Sequence, residues 1–366
     1  MSQIPYGRQL IEDDDVAAVV EVLRGDWLTQ GPSVDRFERA LAERVEAGYA
    51  VAFASGTGAL HAAAAVAGLG PGTRMLTSPL SFVASANCGR YVGAEVGFAD
   101  VHPLTLNLDP AAVGADVDAL VAVHYAGLPV DLARLAHRPA VVIEDAAHAL
   151  GAHTPDGPVG NCARSDLCVF SFNPVKSITT GEGGAVTTNS AELAQRLRRF
   201  RSHGIERRPE QGGWAYEVTS LGFNLRLTDI QAALGTSQLA KLDRFVARRE
   251  ELAGRYRELL AGLPVTLPPD PPDGWRHARH LYPVRLADRA EVYAAMRAAG
   301  IGVQVHYVPI YRHPLWAAAG PPERFPATEA AYAGLLSLPL HQGLTDAEQD
   351  RVVGALQVAM TVASRR

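Results

Sequence analysis

Between Ala50 and Thr187 the chain alternates short apolar runs rich in β-branched residues with amphipathic stretches, and no other feature restricts the fold so much. Strands are expected at residues 50–54, 75–77, 95–98, 119–123, 140–143, 167–170 and 184–187, and helices at 59–69, 82–91 and 191–201. Strands that take turns with helices bury both faces of a mainly parallel sheet, so the fold class is α/β. The 366 residues exceed what one core serves, roughly 250–300, which predicts two domains. A proline-free helical pattern at 228–260, opened by Thr228 and Asp229 as cap residues, bridges them. The segment "GLPVTLPPDPPDGW" that follows can be neither regular helix nor central strand. Beyond it "HLYPVRL" and "GVQVHYVP" read as strands, and 289–299 and 345–362 as helices. The expected division is a large domain over residues 1–245 and a smaller C-terminal α/β domain over 246–366.

Composition removes several function classes. Apolar residues make up 48% of the chain and charged residues 20%, with a formal net charge of -5. Such a surface has no basic field to draw nucleic acid or an anionic membrane, and neither is expected as a partner. The start, "MSQIPYGRQLIEDDD", lacks the basic and apolar segments of a secretion signal, and the small apolar run 62–69 is too short to span a bilayer, so a cytoplasmic protein is expected. Cys88, Cys162 and Cys168 form no CxxC pair, and the histidines are scattered. Neither a disulfide framework nor a metal site is indicated.

Three short stretches carry chemistry. In "AVAFASGTGALHAAAA" a strand runs through Gly56-x-Gly58 into a helix, but His61 stands where a dinucleotide fingerprint needs its third glycine, and no acidic residue ends the next strand. Ser55, Gly56 and Thr57 suit a single phosphate at a helix start; taken alone, the turn could equally serve geometry only. In "AVVIEDAAHALGA" a buried strand ends in Glu144 and Asp145, followed by small residues that leave room for a flat ring. Asp145 could hold a ligand there or cap a helix. In "FSFNPVKSITTGEGGA" Lys176 lies between two apolar strands among short side chains, in a chain with very few lysines for its arginines. Partial desolvation lowers a lysine pKa and makes the amine a usable nucleophile; taken alone, the residue could also be an ordinary surface lysine. Together the lysine, the carboxylate and the helix start supply what pyridoxal 5'-phosphate requires: an amine for its aldehyde, a partner for its ring nitrogen and a seat for its phosphate.

With these residues the chain resembles the DegT/DnrJ/EryC1/StrS sugar aminotransferases, within the aspartate aminotransferase-like (type I) fold. The likeness runs through "LTQGPSVDRFE", "SGTGALH", "SPLSFVASAN", "IEDAAHALG", "FSFNPVKSITTGEGGAVTTN", "FRSHG", "GFNLRLTDIQAALGTSQL" and "VQVHYVPIY". It implies that Lys176 bonds the cofactor aldehyde, that Asp145 partners the pyridine nitrogen and that His148 lies near the phenolic oxygen. Phe82 would stack on the ring, and Gly56, Thr57 and Ser171 would hold the phosphate. Asn224, with Arg226 close enough to exchange roles, would reach over from a second subunit of a homodimer. Tyr6, in "YGRQ", and His306 and Tyr307 would contact substrate; the last two could also simply finish a strand. Among family members the sequence is most similar to the UDP-4-amino-4,6-dideoxy-N-acetyl-β-L-altrosamine transaminases of pseudaminic acid synthesis, although "NPVKS" and "TGEGG" depart from their usual "HAIKP" and "TAEGG". The resemblance implies transfer of an amino group from L-glutamate to C4 of a UDP-linked 4-keto-6-deoxy-N-acetylhexosamine. Another nucleotide-linked ketosugar or a cyclitol is the competing substrate class. Lys176 argues against the sister sugar dehydratases, which carry histidine there, and the retained lysine and carboxylate argue against a non-enzymatic regulatory protein of the same fold.

Overall fold

A computed structural model describes residues 3–363 and gathers all seven expected strands into one sheet. The strands are β1 (Tyr49–Phe53), β2 (Arg74–Thr77), β3 (Glu95–Phe98), β4 (Ala119–Val123), β5 (Val141–Asp145), β6 (Leu167–Ser171) and β7 (Gly184–Thr188). Their spatial order is β1-β7-β6-β5-β4-β2-β3. Every neighbouring pair is parallel except the two made by β7, which runs antiparallel to both β1 and β6. Alternate residues serve opposite faces of the sheet. Val51 and Phe53 pack with α3 (Gly56–Val66), α4 (Ala84–Tyr91) and α5 (Ala191–Arg201), while Ala50 and Ala52 pack with α2 (Pro32–Arg44) and α6 (Asp229–Leu239).

The helical pattern at 228–260 is two helices, not one. After α6 the chain turns at Ala240–Lys241 and continues as α7 (Leu242–Leu259). No proline or glycine marks the break, because its cause is tertiary: Lys241 Nζ lies 2.9 Å from Asp15 and 3.2 Å from Glu12, at the start of α1 (Asp13–Arg24). One half of α7, with Leu242, Phe245 and Val246, belongs to the core beneath the sheet. Its other half, with Leu252, Ala253 and Tyr256, belongs to a second core. That core is completed by β8 (Tyr282–Arg285), α8 (Arg289–Ala298), β9 (Leu335–Leu338) and α10 (Asp346–Ala363), with α9 (Pro326–Gly334) preceding β9. Ile4 joins it, and Leu340 N–H donates to the Tyr6 carbonyl at 3.0 Å.

A second expectation fails at "GVQVHYVP". The segment makes one bridge, Gln304 to Ser337 on the edge of β9 away from β8, and then leaves toward the large sheet, where the Tyr125 hydroxyl donates to the His306 carbonyl at 2.6 Å. Its early part is pinned by Gly302, where a Cβ would stand 2.8 Å from the Ile4 carbonyl. Freed from a sheet, His306 and Tyr307 turn toward the cleft over the large sheet. Among the described residues no helix is long and apolar enough to cross a membrane.

Candidate active site

The C-terminal ends of β1, β5 and β6 meet the start of β7 at one edge of the sheet, where open α/β sheets receive ligands. Gly184 is in register with both Phe53 and Ser171, so β1, β7 and β6 end side by side. From β1 the chain enters α3 at Ser55, whose hydroxyl caps the helix by accepting from Gly58 N–H at 3.0 Å. The first turn of α3 lies directly on this strand edge. A Cβ on Gly56 would stand 2.9 Å from Ser171 Cβ, and one on Gly184 would stand 2.6 Å from Gly56 N. The free N–H groups of this turn, with Thr57 and Ser171 beside them, form a seat for an anion at the positive end of the helix.

Strand parity sends the two acids of β5 opposite ways. Glu144 goes to the face away from α3, where His124 Nε2 donates to it at 2.8 Å and Ser165 Oγ donates at 2.5 Å. Val130 N–H donates to His124 Nδ1 at 3.0 Å, which fixes the tautomer. Burial works against the Glu144 carboxylate, yet these hydrogen bonds hold its pKa below the usual range. Asp145 is on the α4 side. It is buried, with Oδ2 accepting from Ser85 Oγ at 2.6 Å and Oδ1 from Ala147 N–H at 3.1 Å. It is therefore no helix cap but a carboxylate fixed at the strand end. Lys176 follows β6 in a turn closed by its own N–H on the Asn173 carbonyl, 2.9 Å. Part of its surface faces the cleft while protein surrounds the rest. Desolvation lowers its ammonium pKa to about 8, with Asp145 and Glu182 opposing and Arg249 assisting the shift.

Above these groups lies an aromatic wall. Tyr307 Oη is 3.1 Å from His148 Nε2, and their rings are stacked with an 18° interplanar angle. His306 Nδ1 is 2.9 Å from Ser337 Oγ, and its ring is 5.2 Å from that of Tyr6. Desolvation, with the Lys176 charge behind it, pushes the His306 pKa down to about 4 and that of His148 well below its ordinary value. Both imidazoles are neutral at pH 7. Phe82 is 57% exposed at the start of α4, with its ring 6.3 Å from that of Tyr307. Lys176, Asp145, His148, Phe82, Tyr6, His306 and Tyr307 thus share one neighbourhood, with the α3 seat at its base. Asn224 stands apart, exposed in a loop that bridges Ser202 and whose next residue, Leu225, accepts the N–H of Ala54.

Two observations fit a flat ring with a polar substituent above the α3 turn. His148 Nδ1 is buried without a hydrogen-bond partner, a state costing about 1–3 kcal/mol unless something fills it. The Phe82 ring, exposed beside Tyr307, offers uncovered aromatic surface. Sequence reading missed two members. Ser85 lies one helical turn after Phe82, a spacing that could have flagged it. His280 packs on His148 with ring centroids 4.3 Å apart, and nothing local signals that contact.

Comparisons with known proteins agree with this geometry. The model of the DegT/DnrJ/EryC1/StrS aminotransferase family matches residues 9–357. The spore coat polysaccharide biosynthesis protein SpsC of Bacillus subtilis is 38% identical over 97% of this chain and 96% of its own length. Helicobacter pylori PseC, an aminotransferase involved in the biosynthesis of pseudoaminic acid, superposes with a TM-score of 0.90 at 31% identity, covering 99% of this chain and 100% of its own. The PLP-form of Spr1654, a putative sugar aminotransferase from Streptococcus pneumoniae, superposes with a TM-score of 0.90 at 27% identity over 99% of each chain.

Proposed function

The chain belongs to the DegT/DnrJ/EryC1/StrS aminotransferase family, whose members use pyridoxal 5'-phosphate, and on that premise we propose that it moves the amino group of L-glutamate to C4 of a UDP-linked 4-keto-6-deoxy-N-acetylhexosamine. The pathway is of the pseudaminic acid type, and the enzyme works as a homodimer with shared active sites. Lys176 holds the aldehyde, Asp145 the ring nitrogen, and His148 Nδ1 the phenolic oxygen. Phe82 covers one ring face, while Gly56, Thr57 and Ser171, with Asn224 of the partner subunit, hold the phosphate. When bound, the cofactor supplies an electrophilic aldehyde and a ring that withdraws electrons.

With the donor in place, the free Lys176 amine would take the proton from the donor's α-carbon. In the second half-reaction the same Nζ delivers a proton to C4 of the sugar. A pKa near 8 suits both tasks, since an acid and base acts best when it titrates near the working pH. Asp145, held by Ser85 and Ala147, keeps the ring nitrogen protonated. Tyr6, His306 and Tyr307 orient the sugar, and the neutral His306 imidazole offers a hydrogen bond without adding a charge.

Likeness to PseC across nearly the whole chain carries the substrate reading. A second reading, a different nucleotide ketosugar for a surface polysaccharide, is favoured by the likeness to SpsC. Purified protein given glutamate, the L-arabino 4-ketone and its D-xylo epimer in competition separates them. Polar groups left unpaired by the wrong epimer make discrimination of about 100-fold or more the expected outcome. Preference for the epimer, for a 3-keto sugar or for a cyclitol ketone, with products identified by NMR, removes the pathway while leaving the aminotransferase.

A further inference from the structure

Arg249, in α7, is fully buried, yet every acceptor around its guanidinium is a backbone carbonyl. Nη1 donates to Leu340 at 3.0 Å and to Arg279 and His280 at 3.3 Å each, and Nη2 makes longer contacts of 3.5 Å with Val175 and Lys176. Among the described residues no carboxylate pairs with it, and desolvation lowers its pKa to about 10. An unpaired buried cation is costly, so its charge calls for an explanation that packing alone does not give. The three segments it touches each carry or hold a site residue. One holds Lys176, the second holds His280, which packs on His148, and the third is Leu340, whose N–H holds the Tyr6 carbonyl.

We propose that Arg249 is a positioning residue: it ties these three segments into one frame around the cleft, and its positive charge repels the proton from the Lys176 amine. The other groups acting on that amine are Asp145 from β5 and Glu182 from the loop before β7, both of which favour the proton. His148, His280 and His306 also surround it, each held neutral by burial. Arg249 is thus the permanent cation that opposes the two acids, adding to the larger effect of burial. The proposal rests on Lys176 being the reactive amine, which borohydride labelling tests separately.

The chain has only two lysines, Lys176 and Lys241. In the cofactor-free, full-length protein, [13C]dimethylated lysines therefore give two assignable NMR signals, with Lys241, held by Glu12, Asp14 and Asp15, as internal reference. Arg249→Met and Arg249→Gln are expected to raise the Lys176 titration midpoint by about one pH unit, and Arg249→Lys, which adds a third signal recognised by its absence from the parent, to leave the midpoint within about 0.3 of the parent while the new lysine is charged. In the holoenzyme the pH titration of the cofactor's visible absorbance moves in the same direction. Folded Arg249→Met and Arg249→Gln proteins with the parent's midpoint overturn the proposal and leave Arg249 a strut. If both neutral variants fail to fold, Arg249→Lys decides, its added signal reporting the charge at position 249: the parent's midpoint with that new lysine charged, or a rise of about one unit with it neutral, supports the role of the charge, and the reverse in either case overturns it.

Discussion

Gly184→Ala tests whether the packing of α3 on the strand edge sets cofactor affinity. The new Cβ would stand 2.6 Å from Gly56 N and from the Ser55 carbonyl carbon and oxygen, all backbone atoms. Carbon contacts relax near 3.5 Å, so the first turn of α3 must retreat by roughly 1 Å. Overpacking of this kind costs about 1–3 kcal/mol. Without a ligand the helix start can slide and avoid much of that cost. Seating a phosphate on its N–H groups requires the native position, so the cost appears in binding as a loss of roughly 5–150-fold in affinity for pyridoxal phosphate. Gly181→Ala is the control. Gly181 has φ +79° with nothing within 4 Å of its Cβ position, so alanine there costs about 1–2 kcal/mol of backbone strain without displacing α3. Titration of each cofactor-free variant by absorbance gives the dissociation constants, and thermal melting gives the stability loss. Parental affinity in Gly184→Ala, or equal weakening in both variants, refutes the reasoning.

Borohydride reduction of the holoenzyme is expected to fix the cofactor to Lys176 and not to Lys241, whose amine is engaged by three acids; mass spectrometry of the digest checks this, and label on Lys241 would remove Lys176 from the site. Asp145→Asn should cost only about 1–2 kcal/mol of stability, because Ser85 can reverse its hydrogen bond toward an amide, while transamination falls about 100-fold or more since an amide cannot keep the ring nitrogen protonated. Activity close to the parent's would reduce Asp145 to a structural carboxylate. Folding lowers the Lys176 pKa from its ordinary 10.5 to about 8, so between those values the unfolded chain binds more protons than the folded one. The cofactor-free protein is therefore expected to gain stability as pH rises through that window, in denaturant titrations, and Lys176→Met to lack the gain.

The sequence by itself determined the sheet. Seven apolar runs became seven strands because each buries side chains on both faces, a demand that local composition records directly. Lys176 and the Gly56–Thr57 turn were legible for a related reason: a charged amine between apolar strands, and small residues at a helix start, break the pattern of a core. Tertiary structure alone decided the rest. The break at Ala240–Lys241 answers acids more than 200 residues away in the chain, and the 302–309 segment keeps a single bridge to β9 while Tyr125, more than 170 residues earlier, holds the His306 carbonyl. Local periodicity cannot encode the pull of partners so distant in the chain. Neither can it show that Ser85 bonds Asp145, that His280 packs on His148, or that a buried arginine lies beneath the lysine. Each of those contacts joins segments that only the folded chain brings within hydrogen-bonding or packing distance.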